Sequence, residues 1–123
     1  MVLEEECVGS VVVSNVTHTP GGTNISFQVS LDMSEQCREE PGPCYDFFYD
    51  IVWYDEYGYA IGSTHTKRGH SAFLGPVYLS VDLTDSDDPL PTEDTDMRVR
   101  VMAACCYCAW YASGYADFVW YAD

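Results

Sequence analysis

The sequence predicts an all-β protein: a single antiparallel β-sandwich of about seven strands, occupying residues 1–123 as one domain. Three observations carry this reading. Apolar residues recur at every second position through most of the chain, and no segment holds the 3.6-residue period of an amphipathic helix. Clusters rich in Pro, Gly, Asp and Thr punctuate the alternating runs. The length suits one core, and a hydrophobic content of 47% fills it despite a formal charge of −15.

The β-branched run Val8 to Thr17 reads as the first strand. Thr19-Pro20-Gly21-Gly22-Thr23 is a turn by composition. From Asn24 to Met33 the alternation is cleanest. Ile25, Phe27, Val29, Leu31 and Met33 take one face, while Asn24, Ser26, Gln28, Ser30 and Asp32 take the other. Tyr45 to Tyr54 alternates as well, with apolar groups on both faces. Asp55-Glu56-Tyr57-Gly58 reads as a hairpin turn into a short strand around Tyr59 to Ser63. Pro76 opens the next strand, whose inward face is Val77, Leu79, Val81 and Leu83. Met97, Val99, Val101, Ala103 and Cys105 give another inward face, and Phe118 to Tyr121 closes the chain.

This arrangement, with Trp53 on the apparent third strand, resembles the immunoglobulin and fibronectin type III group. The resemblance implies an immunoglobulin-like architecture and nothing about activity. It departs from true immunoglobulin domains because no cysteine lies on Asn24–Met33 to pair with Cys105.

Cys7, Cys37, Cys44, Cys105, Cys106 and Cys108 make an even count in a short chain, the mark of a disulfide-stapled fold in an oxidising compartment. Zinc sites supply cysteines in closely spaced pairs, for which Cys37 and Cys44 are too far apart, and disulfides are read in preference to metal. The Pro41-Gly42-Pro43 bend favours a local Cys37–Cys44 bridge. Strand parity then turns Cys105 inward and sets Cys106 and Cys108 outward with Arg98 and Arg100. Cys7 is expected to tie the first strand to one of these, leaving two for a local or an interchain bond.

The only two asparagines, Asn15 and Asn24, both sit in N-x-[ST] acceptors, Asn15-Val16-Thr17 and Asn24-Ile25-Ser26. Parity sets Asn24 on a wet face, so N-linked glycans and an extracellular or cell-surface location are expected. Residues 1 to 8 carry no basic or apolar leader, so the chain reads as a mature secreted form. No run approaches the roughly 20 apolar residues of a membrane-spanning helix, so no membrane insertion is expected. Five basic against twenty acidic residues exclude nucleic acid and anionic membrane as partners, since phosphate binding needs surplus Lys and Arg.

Thr84 to Asp96 is acidic, and Asp85, Asp87, Asp88, Asp94 and Asp96 are weak calcium candidates. The loop lacks the ligand order of an EF-hand, so a solvated loop without metal or other cofactor is the expectation. His65 and His70 flank Thr66-Lys67-Arg68-Gly69 in a basic loop that offsets neighbouring negative charge. No G-x-S-x-G, H-E-x-x-H or glycine-rich phosphate loop is present, so the chain is not read as an enzyme.

The stretch 107–115 combines Tyr, Trp, Ser and Gly, the composition of antibody binding loops. Tyr107, Trp110, Tyr111, Tyr115, Phe118 and Trp120 are therefore the candidate interface residues. The function expected is that of a structural subunit in an extracellular, glycosylated filament or surface layer. Its copies would self-associate through strand edges or terminal strands. The alternative is a monomeric recognition module that binds carbohydrate or protein through the 107–115 loop.

Overall fold

The computed structural model of the chain describes residues 8–33, 44–72, 75–106 and 111–123. These residues form eight strands and no helix: β1 (Val8–Thr17), β2 (Asn24–Met33), β3 (Tyr45–Tyr54), β4 (Ala60–Ser63), β5 (Lys67–Ser71), β6 (Val77–Asp82), β7 (Thr95–Cys105) and β8 (Tyr111–Trp120). All pairings are antiparallel. One sheet runs β1-β2-β6, and the other runs β4-β3-β7-β8 with β5 also paired to β3.

Local chemistry sets the connections. Pro20 pre-sets the first central position of a turn, and Gly21 takes the second at φ 78°, where a side chain would strain. Gly22 N then donates to Thr19 O at 2.8 Å or less, namely 2.7 Å, closing the turn between β1 and β2. At the β3–β4 hairpin, Gly58 sits at φ 88° and donates to Asp55 O at 3.0 Å. The Asp55 carboxylate accepts from both Tyr57 N and Tyr59 N at 2.9 Å, holding the hairpin from within.

The inner faces of the two sheets share one core. Ile25, Phe27 and Val29 of β2 meet Phe47, Ile51 and Trp53 of β3 and Met97, Val99 and Val101 of β7 in one buried cluster. Burying each such side chain stabilises the fold by about 2 kcal/mol, so the alternation is the main structural instruction. Trp53 is the largest fully buried side chain, and it lies over Gly62, its register partner on β4. A Cβ at Gly62 would come within 2.3 Å of the Trp53 indole nitrogen, so the indole needs glycine there.

Two expectations change. Lys67–Ser71, read as a basic loop, is strand β5, paired with Tyr45–Tyr49 of β3. The last strand begins at Tyr111 rather than Phe118 and pairs with β7 over ten positions. Its inward residues Ala112, Gly114 and Ala116 are small because β1 passes close beneath them. A Cβ on Gly114 would stand 2.3 Å from Val11 O.

Candidate functional site

Register places one set of side chains on the outer face of the larger sheet. Arg68 of β5 lies opposite Phe48 of β3, Asp50 opposite Arg100 of β7, and Arg100 opposite Tyr115 of β8. Three of the four described basic residues are therefore gathered here, on a chain of net charge −15. Each has an acidic partner on the same face.

Arg100 Nε and Nη2 donate to the two oxygens of Asp50 at 2.8 and 2.7 Å. The carboxylate holds the guanidinium pKa above its ordinary value. Asp50 is nearly enclosed, whereas the head of Arg100 still meets water. Arg98 makes a parallel fork to Asp117, at 2.7 and 3.1 Å, and its guanidinium lies 3.9 Å from the centre of the Tyr115 ring. The hydrogen bonds from Arg98 hold the Asp117 carboxyl below its usual range. Arg68 sits 5.6 Å from the Phe48 ring centre, and Phe48 meets Tyr111 edge-on at 6.2 Å.

These groups border a groove of about 360 Å³ between Phe48, Arg98, Arg100, Met102 and Tyr115. Tyr111, Tyr115, Met102 and Val119 around it are exposed, Tyr115 to 58%. The face thus combines aromatic area with charges that are already paired. Such a surface loses little on desolvation compared with one of free ions.

The same face ends at β8, the outermost strand of its sheet. Edge strands are commonly blunted by Lys, Pro or a bulge. The β8 sequence Tyr-Ala-Ser-Gly-Tyr-Ala-Asp-Phe-Val-Trp has no Lys, no Pro and one charge, which Arg98 neutralises. Its pairing with β7 is continuous, with no bulge.

Of the interface residues predicted from sequence, Tyr111 and Tyr115 lie on this face. Phe118 and Trp120 do not. They point inward: Phe118 packs against the core, and Trp120 is buried with its indole N–H donating to Gly22 O at 2.8 Å. Tyr107 and Trp110 lie outside the described residues. The cation–aromatic stack of Arg98 on Tyr115 was not foreseen, although the register that makes it was available from parity.

The predicted Cys37–Cys44 bridge is overturned. Cys44 is bonded to Cys106, with Cα atoms 5.4 Å apart. The reason is register: Tyr45 lies opposite Cys105, so the residues just beyond that pair are already neighbours. Cys106 N donates to Cys44 O at 3.1 Å beside the bond. Cys105 is buried, faces inward and is itself disulfide-bonded. Cys7, Cys37 and Cys108 lie outside the described residues. His70 Nε2 stands 4.0 Å from Cys44 Sγ, and its Nδ1 lies 3.2 Å from Asp46. Cys44, His70 and Cys106 group their ligand-type atoms, but the two sulfurs are occupied with each other.

Both sequon asparagines are exposed on the outer face of the smaller sheet. Asn24 starts β2 opposite Asp82. Asn15 sits at a register shift in β1 with φ 53°, and its Nδ2 donates to Gln28 Oε1 at 2.8 Å. The weak calcium candidates are dispersed. Asp85 pairs with Lys67, Asp87 lies 3.5 Å from His65, Asp88 accepts from Ser63 N and Asp94 from Ala122 N. No three of these carboxylates, Asp96 included, converge among the described residues. Asp82, next to this loop, accepts from the backbone and side chain of Thr84, which hold its pKa low. Compared with protein-family models, curated proteins and solved structures, the chain matches none of them.

Proposed function

We propose that the chain is an immunoglobulin-like β-sandwich subunit of a glycosylated extracellular assembly, joined to further copies through β8 and its Tyr-bearing face. The observation that carries this reading is the edge of β8, which pairs with β7 on one side, carries no Lys, Pro or bulge, and is covered by His18 at Val119 O near its end. Adding a second β8, or another edge, would satisfy the outer backbone groups that His18 leaves open and cover Tyr111, Tyr115 and Val119. Charge supports the same choice. Two copies of net charge −15 repel, so they meet most easily where arginines already pair with aspartates.

The immunoglobulin-like part of the reading draws on the two strand orders, β1-β2-β6 and β4-β3-β7-β8, and on Trp53 in the core. The extracellular part draws on the disulfide and on two exposed sequons. Both sequons lie on the smaller sheet, so glycans there leave the β8 face open.

Electron microscopy of the glycosylated chain, purified from a secreting eukaryotic host, tests this directly. Regular filaments, sheets or closed oligomers are expected. Isolated particles at every soluble concentration would count decisively against assembly.

A second reading rests on the groove between Phe48, Arg100 and Tyr115. Under it the chain is a monomer that binds a carbohydrate or protein ligand on the same face. Tyr111→Ala with Tyr115→Ala would then remove ligand binding without unfolding the domain.

A further inference from the structure

The geometry points to Cys44–Cys106 as an exchangeable disulfide, opened by a small external thiol at Cys106 with Cys44 leaving beside His70. The inference stands apart from the assembly reading. It begins with an asymmetry: Cys106 is exposed, whereas Cys44 is only partly so. An incoming thiolate therefore reaches Cys106 Sγ first.

His70 lies near both sulfurs, its ligand nitrogen within 4.8 Å of each, and its Nε2 contact is with Cys44, whose departure it assists. His70 Nε2 lies 4.0 Å from Cys44 Sγ, and Asp46 accepts from Nδ1 at 3.2 Å. The Asp46 contact orients the ring with Nε2 toward the sulfur. Asp46 is also approached by Arg68 at 3.7 Å, so among the described residues the charged groups at His70 are one carboxylate and one guanidinium.

The step balances without another oxidant or reductant. The external thiolate sulfur forms a bond to Cys106 Sγ as the Cys44–Cys106 bond breaks. The bonding pair moves to Cys44 Sγ, which is reduced, and the external thiol is oxidised to a mixed disulfide. The nascent Cys44 thiolate takes a hydrogen bond, and then the proton, from His70 Nε2. An adjacent imidazolium stabilises a thiolate, and a better leaving thiolate speeds exchange. The β3–β7 ladder and the Cys106 N to Cys44 O bond hold the same strands, so the opened sulfurs stay close and the reaction can reverse.

The intact oxidised chain is exposed to cysteamine between about pH 5 and 8, quenched by alkylation and mapped by peptide mass spectrometry. The adduct is expected on Cys106 and the alkylated thiol on Cys44. In His70→Gln the opening rate, corrected for thiolate concentration, should fall about tenfold at the acid end. Asp46→Asn, which loosens the hold on the His70 ring, should slow the opening in the same direction. His70 is 59% exposed, so His70→Gln keeps the fold, and circular dichroism checks both variants before the kinetics are read. An adduct on Cys44 would overturn the proposal. So would a His70→Gln rate that matches the parent at every pH.

Discussion

Arg100 grips Asp50 with two nearly equal hydrogen bonds, 2.8 and 2.7 Å, across the centre of the larger sheet. Asp50 is 8% exposed and Thr66 Oγ1 adds a weaker contact at 3.4 Å. Removing the arginine strands a buried carboxylate. Arg100→Ala should lower unfolding stability by about 2 kcal/mol, short of the roughly 3–5 for fully enclosed pairs because Arg100 still meets water. Arg98→Ala, which breaks the exposed pair with Asp117, should cost clearly less, because solvent screens that pair. Urea unfolding of the two variants side by side checks the ranking; equal losses would mean that burial of Asp50 does not matter.

At Gly114 the backbone of β8 comes close to that of β1 in the other sheet. An alanine Cβ there would lie 2.3 Å from Val11 O, and neither backbone can yield alone. Gly114→Ala is expected to destabilise by about 2–3 kcal/mol through overpacking. At Gly58 a Cβ meets nothing within 4 Å, so Gly58→Ala carries only the cost of φ 88°, about 1 kcal/mol. Thermal melts that rank Gly58→Ala as the worse of the two would contradict the close packing of β1 on β8.

Acid stability follows from Asp117 and Asp82, whose folded pKa values lie below the ordinary 3.8. Arg98 lowers the first and the Thr84 hydrogen bonds lower the second. An unfolded carboxylate binds its proton first as pH falls, so these groups support folding above pH 3.8 and lose that support as pH drops through their folded values. Stability should therefore decline below pH 3.8, and Asp117→Asn should flatten the decline. Both groups are largely exposed, so the effect is modest. Urea midpoints that stay level down to about pH 2 would sink this assignment.

Glycan occupancy is a mass measurement. Intact mass from a secreting host should fall by two N-glycans on enzymatic deglycosylation. Asn15→Gln and Asn24→Gln should each remove one. An unchanged mass for the parent chain would remove the argument that the smaller sheet is covered.

Legibility varied with how local each instruction is. The strands at Asn24–Met33 and Tyr45–Tyr54 were readable because each carries its own alternation, and Val8–Thr17 because its residues are largely β-branched. The beginning of β8 was not, since Ala112, Gly114 and Ala116 supply no large apolar face. Their small size answers to β1, which lies about a hundred residues earlier. Strand β5 escaped because Lys67-Arg68-Gly69-His70-Ser71 is polar and owes its form to pairing with β3. The Cys44–Cys106 bond likewise depends on β3–β7 register and not on loop spacing. The site was half visible: tyrosines were found from composition, but their arginine partners needed cross-strand neighbours.

Association through β8 is tested most directly by sedimentation velocity on the glycosylated parent and on Ser113→Lys with Val119→Lys, in about 0.15 M salt to screen the net charge. Both positions are exposed on the outer side of β8, so edge lysines should block pairing while leaving the core alone. The account predicts concentration-dependent oligomers for the parent and a folded monomer for the double variant. A parent that sediments as a monomer throughout, or a lysine variant that assembles just as well, would contradict it.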